Sequence, residues 1–160
     1  GPFTSKCDDL DKDICQAFAI HYYLYAHNEQ SGAIVHSFNP DLVAIAATED
    51  LVKPYLDDFA QLVGSEIEAL DLGRSFSERD LNLMLAKVQG RSALLLKGNG
   101  ALCWGSDQAE ALAVEDLLAK NCKAMRTARL FNSGGPLPEK LCREMRKSYL
   151  SSYSKKALLD

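Results

Sequence analysis

Residues 92–105 read SALLLKGNGALCWG, and this stretch decides the fold. Its three consecutive leucines, 94–96, form the short continuous apolar run that is typical of a fully buried strand. Asn99-Gly100 is a strong signal for a hairpin turn, and Ala101 to Trp104 supplies the returning strand. The sequence therefore predicts a buried hairpin with strands over 92–97 and 101–104.

The segments around this hairpin alternate helices with short strands. Ser106 or Asp107 is placed to cap the longest helix, predicted over 108–131, and Ser77 forms a capping box with Asp80 before another. Further helices are predicted over 9–26, 42–47, 55–63 and 138–152, and strands over 33–35 and 66–70. Helices alternate with strands, and two of the strands form the hairpin. This pattern indicates an α/β fold around a mixed, mostly antiparallel sheet.

The first predicted helix has an apolar face. Leu10, Ile14, Phe18, His21 and Tyr25 recur every three or four residues, which predicts that they share one buried face. On that reading His21 is a packed core histidine. His27, near the end of the helix, is placed to offset the negative end of the helix dipole.

The composition is that of an ordinary globular domain. The chain has 160 residues, of which 47% are hydrophobic and 25% charged, and this predicts a single domain over 1–160. A net charge of −4 argues against a dedicated nucleic-acid-binding protein. We expect no membrane span, because no apolar run approaches the required length. Gly1-Pro2 resembles the scar left by cleavage of a purification tag.

The five cysteines are odd in number, and no two stand as C-x-x-C. We therefore expect free, mostly buried thiols rather than disulfides or a structural zinc site. Free thiols, and the lack of a leader peptide at Gly1, predict a cytoplasmic location.

Charge is distributed unevenly along the chain. Residues 1–119 carry a net charge of −11 and residues 120–160 a net charge of +7. The cations of the longest helix offset the negative end of its dipole. That leaves a basic set in the last helix and tail, which we expect either to form a solvated face or to pair with an acidic face of a neighbouring subunit: Lys140, Arg143, Arg146, Lys147, Lys155 and Lys156.

Three segments occur in the order found in one known family. They are His21-x-x-x-Tyr25, the strand Gly32 to Ser37, and the hairpin Leu95 to Gly105 with the alanine-rich helix behind it. Taken together they resemble the class II aldolase/adducin family over roughly residues 14–131. The resemblance implies a three-layer α/β/α fold with a central mixed sheet. It also implies that an N-terminal part of the family fold is missing from this chain.

The resemblance implies a chemistry that these residues largely lack. Family members hold a divalent metal, usually zinc, with three histidines, and a glutamate one turn before the helical histidine moves the proton. His36 matches the first ligand, but Phe38 and Asn99 stand where the other two belong. Ala17 stands where the glutamate belongs. The remnant pocket would then consist of His36, Asn99, His21, Phe38 and Ala17, with no cofactor expected.

These substitutions favour a catalytically degenerate aldolase-like domain that acts in binding, assembly or regulation. One alternative is a metal-dependent aldolase or epimerase of phosphorylated sugars, with ligands such as His36, Asp41 and His21. Another is a metal-independent sugar-phosphate sensor. The expected partner is a second copy of the chain, another protein or the missing N-terminal segment. A tyrosine in the tail, Tyr149 or Tyr153, is expected to serve surface or interface packing.

Overall fold

A computed structural model describes residues 12–73 and 76–156 of the chain. Within them lie six helices and five strands, in the following order. They are α1 (Lys12–His27), β1 (Ala33–Ser37), α2 (Pro40–Thr48), β2 (Leu51–Val52), α3 (Asp57–Leu62), β3 (Ile67–Leu70), α4 (Glu78–Val88), β4 (Ala93–Leu96), β5 (Gly100–Gly105), α5 (Gln108–Leu130) and α6 (Glu139–Lys156). The predicted start of the first helix at Asp9 and the suspected tag scar lie outside the described residues.

The five strands form one sheet in the order β1-β5-β4-β3-β2. The predicted hairpin is confirmed, since β4 pairs antiparallel with β5 and Leu95 lies opposite Ala101. β1 pairs antiparallel with β5, and β2 with β3. Only β3 and β4 run parallel among the described strands, and α4 provides the crossover between them. The sheet is therefore mixed and mostly antiparallel, as the sequence predicts, although the two-residue strand β2 is an addition to the prediction.

Helices cover both faces of this sheet, which gives the three-layer α/β/α architecture. One core lies between the sheet and helices α2, α3 and α5, and includes Phe59 and Leu118. The other lies between the sheet and helices α1 and α4, and includes Leu24 and Trp104. The predicted apolar stripe of α5 is confirmed, because all five of its members are buried: Ala111, Val114, Leu118, Cys122 and Met125.

The predicted buried face of α1 is wrong. Ile20 and Leu24 are buried against the sheet, whereas Phe18 and Tyr25 are exposed to 62% and 49%. The side chains of Leu10 and Ile14 lie outside the described residues. The reason is that α1 is apolar almost all round between 17 and 26, so spacing alone cannot select the face that meets the sheet.

The helix ends follow the predicted capping chemistry. Asn39 caps α2 with Pro40 in its first turn, and Asp107 rather than Ser106 caps α5. At α4 the capping box is complete, because the Ser77 side chain accepts from the Asp80 N–H while the Asp80 carboxylate accepts from Ser77. These backbone N–H groups have no partner inside the helix, so each cap removes a cost at the helix start.

The cations of α5 do more than offset its dipole. Lys123 and Arg126 both pair with Asp41 of α2, and Arg129 pairs with Glu49 at the end of α2. These pairs fasten α2 alongside α5. They also hold the pKa of Asp41 below its ordinary value, because the hydrogen bonds and charges of Lys123 and Arg126 outweigh the opposing effect of desolvation.

The basic set of the last helix divides into two environments. Lys140, Arg143 and Lys147 are exposed, as expected for a solvated face, but Arg146 is only 6% exposed. The prediction that Arg146 belongs to the solvated face is wrong, because its guanidinium donates to the carbonyls of Gln61, Leu62 and Gly90. The side chains of Lys155 and Lys156 lie outside the described residues.

Gly100 allows β1 and β5 to approach each other. It has a φ of +75°, and a Cβ atom placed on it would lie 2.1 Å from the Ser37 carbonyl oxygen. Gly98 in the same turn has a φ of +74°, but a Cβ there would meet nothing within 4 Å. Both glycines therefore adopt a left-handed backbone conformation. Of the two, only Gly100 also lacks space for a Cβ atom.

We predict that Gly100→Ala destabilises the protein much more than Gly98→Ala. The left-handed backbone costs either alanine about 1–2 kcal/mol. Gly100→Ala adds a clash with the backbone of β1, for a further cost of roughly 1–3 kcal/mol or more. Urea unfolding of both variants measures the difference. Equal losses of unfolding free energy would show that the close approach of β1 does not constrain this position.

Candidate functional site: the histidine cluster

The pairing of β1 with β5 brings His36 next to the hairpin turn. His36 lies opposite Leu102, and its side chain projects toward the face of the sheet that α1 covers. Its Nε2 atom is 2.9 Å from the backbone carbonyl oxygen of Asn99. A carbonyl oxygen only accepts hydrogen bonds, so the Nε2 atom of His36 is the donor and carries the proton.

Two more of the sequence-predicted residues meet His36. The ring of His21 on α1 has its centroid 5.6 Å from that of His36. The ring of Phe38 stacks on His36 at 4.6 Å with an interplanar angle of 22°. The structure therefore brings His21, His36, Phe38 and Asn99 together, and we call these four residues the histidine cluster.

Ala17 lies on the same helix as His21, one turn closer to the N-terminus. Its side chain lies outside the part of the chain that the structure describes. A methyl group has no proton to exchange, so whatever its surroundings this residue offers no acid–base function.

The donor groups of the cluster do not fit a zinc ion of the catalytic type. Such a site normally uses three protein ligands drawn from nitrogen, sulfur and carboxylate oxygen. Here His36 uses Nε2 in a hydrogen bond, Phe38 offers a phenyl ring, and Asn99 presents its backbone carbonyl to His36. Within residues 12–73 and 76–156, no group of three or more His, Cys, Asp or Glu residues is arranged to hold a metal ion.

The alternative ligand set does not assemble either. Asp41 is engaged on the other side of the sheet by Lys123 and Arg126 of α5. It forms no metal-binding group with His21 and His36 in the described part of the chain. The alternative enzyme hypothesis therefore gains no ligand from Asp41.

The cysteines follow the prediction of buried free thiols wherever the structure describes them. Cys103, Cys122 and Cys142 are free and buried, while Cys7 and the side chain of Cys15 lie outside the described residues. Burial raises the pKa of Cys103 and raises that of Cys122 to about 12. Because the thiolate is the nucleophile and these two thiols stay protonated at neutral pH, they are poor nucleophiles.

Three supporting contacts add to what the sequence predicts. Ser37 donates a hydrogen bond to Glu115 of α5, which ties the end of β1 to the opposite layer. The Tyr25 hydroxyl accepts from the Ile34 N–H on the outer edge of β1 at 3.1 Å. The Tyr149 hydroxyl donates to Glu110 at 2.9 Å. Tyr25 belongs to the first motif, but each contact joins residues whose proximity only the fold creates.

Glu110 connects α6 to the turn that follows β5. Its carboxylate accepts from the N–H and hydroxyl groups of Ser106 as well as from Tyr149. Desolvation by itself raises the pKa of Glu110, but the hydrogen bonds from Ser106 and Tyr149 outweigh it, so the pKa lies below its ordinary value. Tyr149 thus links α6 to Glu110 of α5 within the chain. The side chain of Tyr153 lies outside the described residues.

Comparison with known proteins identifies the family of this chain. The sequence profile described as Class II Aldolase and Adducin N-terminal domain matches residues 5–125. The chain belongs to the class II aldolase and adducin family. No individual curated protein sequence is significantly similar to this family member.

Solved structures of the family share the fold. An L-fuculose 1-phosphate aldolase superposes with a TM-score of 0.71 at 17% identity, over 81% of this chain and 61% of the aldolase. YgbL from Klebsiella pneumoniae, an aldolase/epimerase/decarboxylase candidate, gives 0.70 at 21% identity, over 82% of this chain and 65% of YgbL. The L-fuculose-1-phosphate aldolase of Thermus thermophilus gives 0.58 at 20% identity, over 76% and 65%. This family member spans less than two thirds of each.

We predict that His21 makes the stability of this family member depend on pH. Burial, and then the charge of His36, lowers the pKa of His21 from its ordinary 6.5. As the pH falls below 6.5, the unfolded chain binds a proton that the folded chain resists, so the free energy of unfolding declines. His21→Gln should weaken this decline between about pH 7.5 and about pH 5.5, as measured by urea unfolding.

The matched control is His27→Gln at the exposed end of the same helix, where the Nδ1 atom contacts the Tyr23 carbonyl. This variant should keep the pH dependence of the unsubstituted chain. If His21→Gln also keeps it, the paired rings do not resist protonation.

Proposed function

We propose that this chain is a class II aldolase-type scaffold that acts in binding, assembly or regulation without aldolase chemistry. The observation that carries the proposal is the state of His36. It is the one retained histidine at the family's ligand positions, and its Nε2 atom donates to Asn99 while Phe38 covers its ring. A metal ion at Nε2 would have to displace this proton and its hydrogen bond, and a single retained ligand does not compensate for that loss.

The loss of the proton-transfer group supports the same proposal. Lyase and epimerase reactions of this type need a base placed to remove a proton and a Lewis acid to stabilise the resulting charge. Ala17 stands at the position of the base. Of the three positions whose side chains hold the Lewis acid, only His36 carries a metal ligand. These residues therefore supply neither the base nor the metal site that the aldolase activity named for the similar solved structures would need.

Exposed aromatic side chains near the cluster support a role in assembly. Phe18 and Tyr25 of α1 are exposed to 62% and 49%, and Phe38 beside His36 is exposed to 63%. Phe18 and Tyr25 lie three residues before and four residues after His21, so the three share one face of α1. We infer that Phe18 and Tyr25 form one exposed patch with Phe38, and such a patch typically marks an interaction site. We take the occupant to be a second copy of the chain.

No helix among the described residues is long and apolar enough to cross a membrane.

We predict that the protein purified at neutral pH contains far less than one equivalent of zinc, as measured by elemental analysis. We also expect no retro-aldol or epimerase activity on phosphorylated sugars, and no difference between the unsubstituted protein and His36→Ala. Near-stoichiometric zinc, or an activity that His36→Ala abolishes, would overturn the proposal in favour of a metal-dependent enzyme.

We predict that the variant Phe18→Ser/Phe38→Ser self-associates more weakly than the unsubstituted chain. Burial of each phenyl ring in an interface contributes roughly 1.5–3 kcal/mol, so the dissociation constant should rise at least about tenfold. Sedimentation equilibrium measures it. Leu83→Ser is the control, because Leu83 is exposed to 50% on α4. An unsubstituted chain that stays monomeric, or equal weakening by Leu83→Ser, would refute an aromatic interface.

A further inference from the structure

Three cations of α6 line one cavity at the surface. The cavity has a volume of about 470 Å³ and opens to solvent. Arg143, Arg146 and Lys147 line it together with four uncharged residues: Ser65, Gly90, Leu150 and Ser151. Among the described residues, no aspartate or glutamate lines it. It is therefore a shallow, open concavity with three cations in its lining, on a chain whose net charge is negative.

The guanidinium of Arg146, which lines this cavity, is held in place by hydrogen bonds. It donates to the carbonyls of Gln61 and Leu62 at the end of α3, to the Gly90 carbonyl and to the Ser92 hydroxyl. These four contacts use up to four of the five N–H groups of a guanidinium. At least one donor remains, and the bonds to a rigid backbone fix the direction of the group.

The positive charge of Arg146 is not neutralised within the described residues. No carboxylate forms an ion pair with it in 12–73 or 76–156, and helix-terminal carbonyls supply only partial negative charge. Burial lowers the pKa of Arg146 to about 10, although Tyr149 and Glu110 act in the opposite direction. A buried cation without a full counter-charge is costly, and a bound anion would relieve that cost.

The two other cations can turn toward a ligand. Lys147 is exposed, and Arg143 pairs with Glu139 one turn away. Both side chains of that pair are more than half exposed, at 68% and 65%, so the pair adds little stability and can exchange for a better partner. Ser65 also lines the cavity, and its hydroxyl is a neutral group that can donate a hydrogen bond.

We propose that this cavity binds a phosphate group, either free inorganic phosphate or the phosphomonoester of a small metabolite. One fixed guanidinium, two mobile cations and a hydroxyl suit a compact dianion with several acceptor oxygens. The site differs from the histidine cluster, because Ser92 precedes β4 whereas Asn99 follows it. It therefore goes beyond the proposed function and does not depend on metal at His36.

Calorimetric titration with inorganic phosphate, at constant ionic strength set with sodium chloride, tests the site. The unsubstituted chain should show saturable binding of one equivalent. Arg143→Gln/Lys147→Gln should weaken it at least about tenfold, since each residue supplies a charge-assisted hydrogen bond. Both substitutions are at exposed positions, so the fold should survive; Arg146 is left intact because its loss would also remove bonds that hold α6.

Lys140→Gln is the matched control, since Lys140 is exposed on the same helix but does not line the cavity. It should bind phosphate within about twofold of the unsubstituted chain. Glycerol 3-phosphate in parallel titrations distinguishes the two sources, because tighter binding than inorganic phosphate indicates a metabolite. Absence of saturation, or an equal loss in Lys140→Gln, would overturn the site.

Discussion

The structure depends on the close antiparallel pairing of β1 with β5. Gly100 makes this pairing possible, because any Cβ atom there would lie 2.1 Å from the Ser37 carbonyl oxygen. The pairing sets His36 opposite Leu102 and so places its ring beside the hairpin turn and against α1. It also brings Ser37 to Glu115 of α5. One backbone contact thereby aligns the two helical layers and the histidine cluster.

The same pairing is part of the fold that this chain shares with the family. The strand, the hairpin and the alanine-rich helix keep the geometry of a class II aldolase fold. The groups carried by that geometry are a histidine bonded to a backbone carbonyl, a phenyl ring and an alanine. Because folding depends on backbone approach and core packing, side chains at the rim can change without loss of the fold. This supports the proposal of a scaffold that binds rather than catalyses.

Much of the fold was predictable because local chemistry and tertiary structure agree. The Asn99-Gly100 turn, the Ser77–Asp80 capping box and the apolar stripe of α5 each have one stable solution. The errors fall where local chemistry is ambiguous. α1 is apolar on several faces, so contact with the sheet decides that Ile20 and Leu24 are buried. In the sequence, nothing distinguishes Arg146 from its basic neighbours. In the fold, it is buried because the carbonyls at the end of α3 and just after α4 lie beside it. The cluster residues were predicted from the motifs, but the hydrogen bond from His36 to Asn99 arises from the strand register alone.

The most direct test of the central claim is the zinc affinity of the double variant Phe38→His/Asn99→His, measured by competition with a chelator beside the unsubstituted chain. If the scaffold has kept its shape and lost only its donors, the variant should bind one zinc ion far more tightly, by about a hundredfold or more. Three imidazoles complete a ligand set, and zinc bound by all three can displace the proton that His36 Nε2 shares with the carbonyl of residue 99. Tight zinc binding by the unsubstituted chain, or no gain in the variant, would contradict the account.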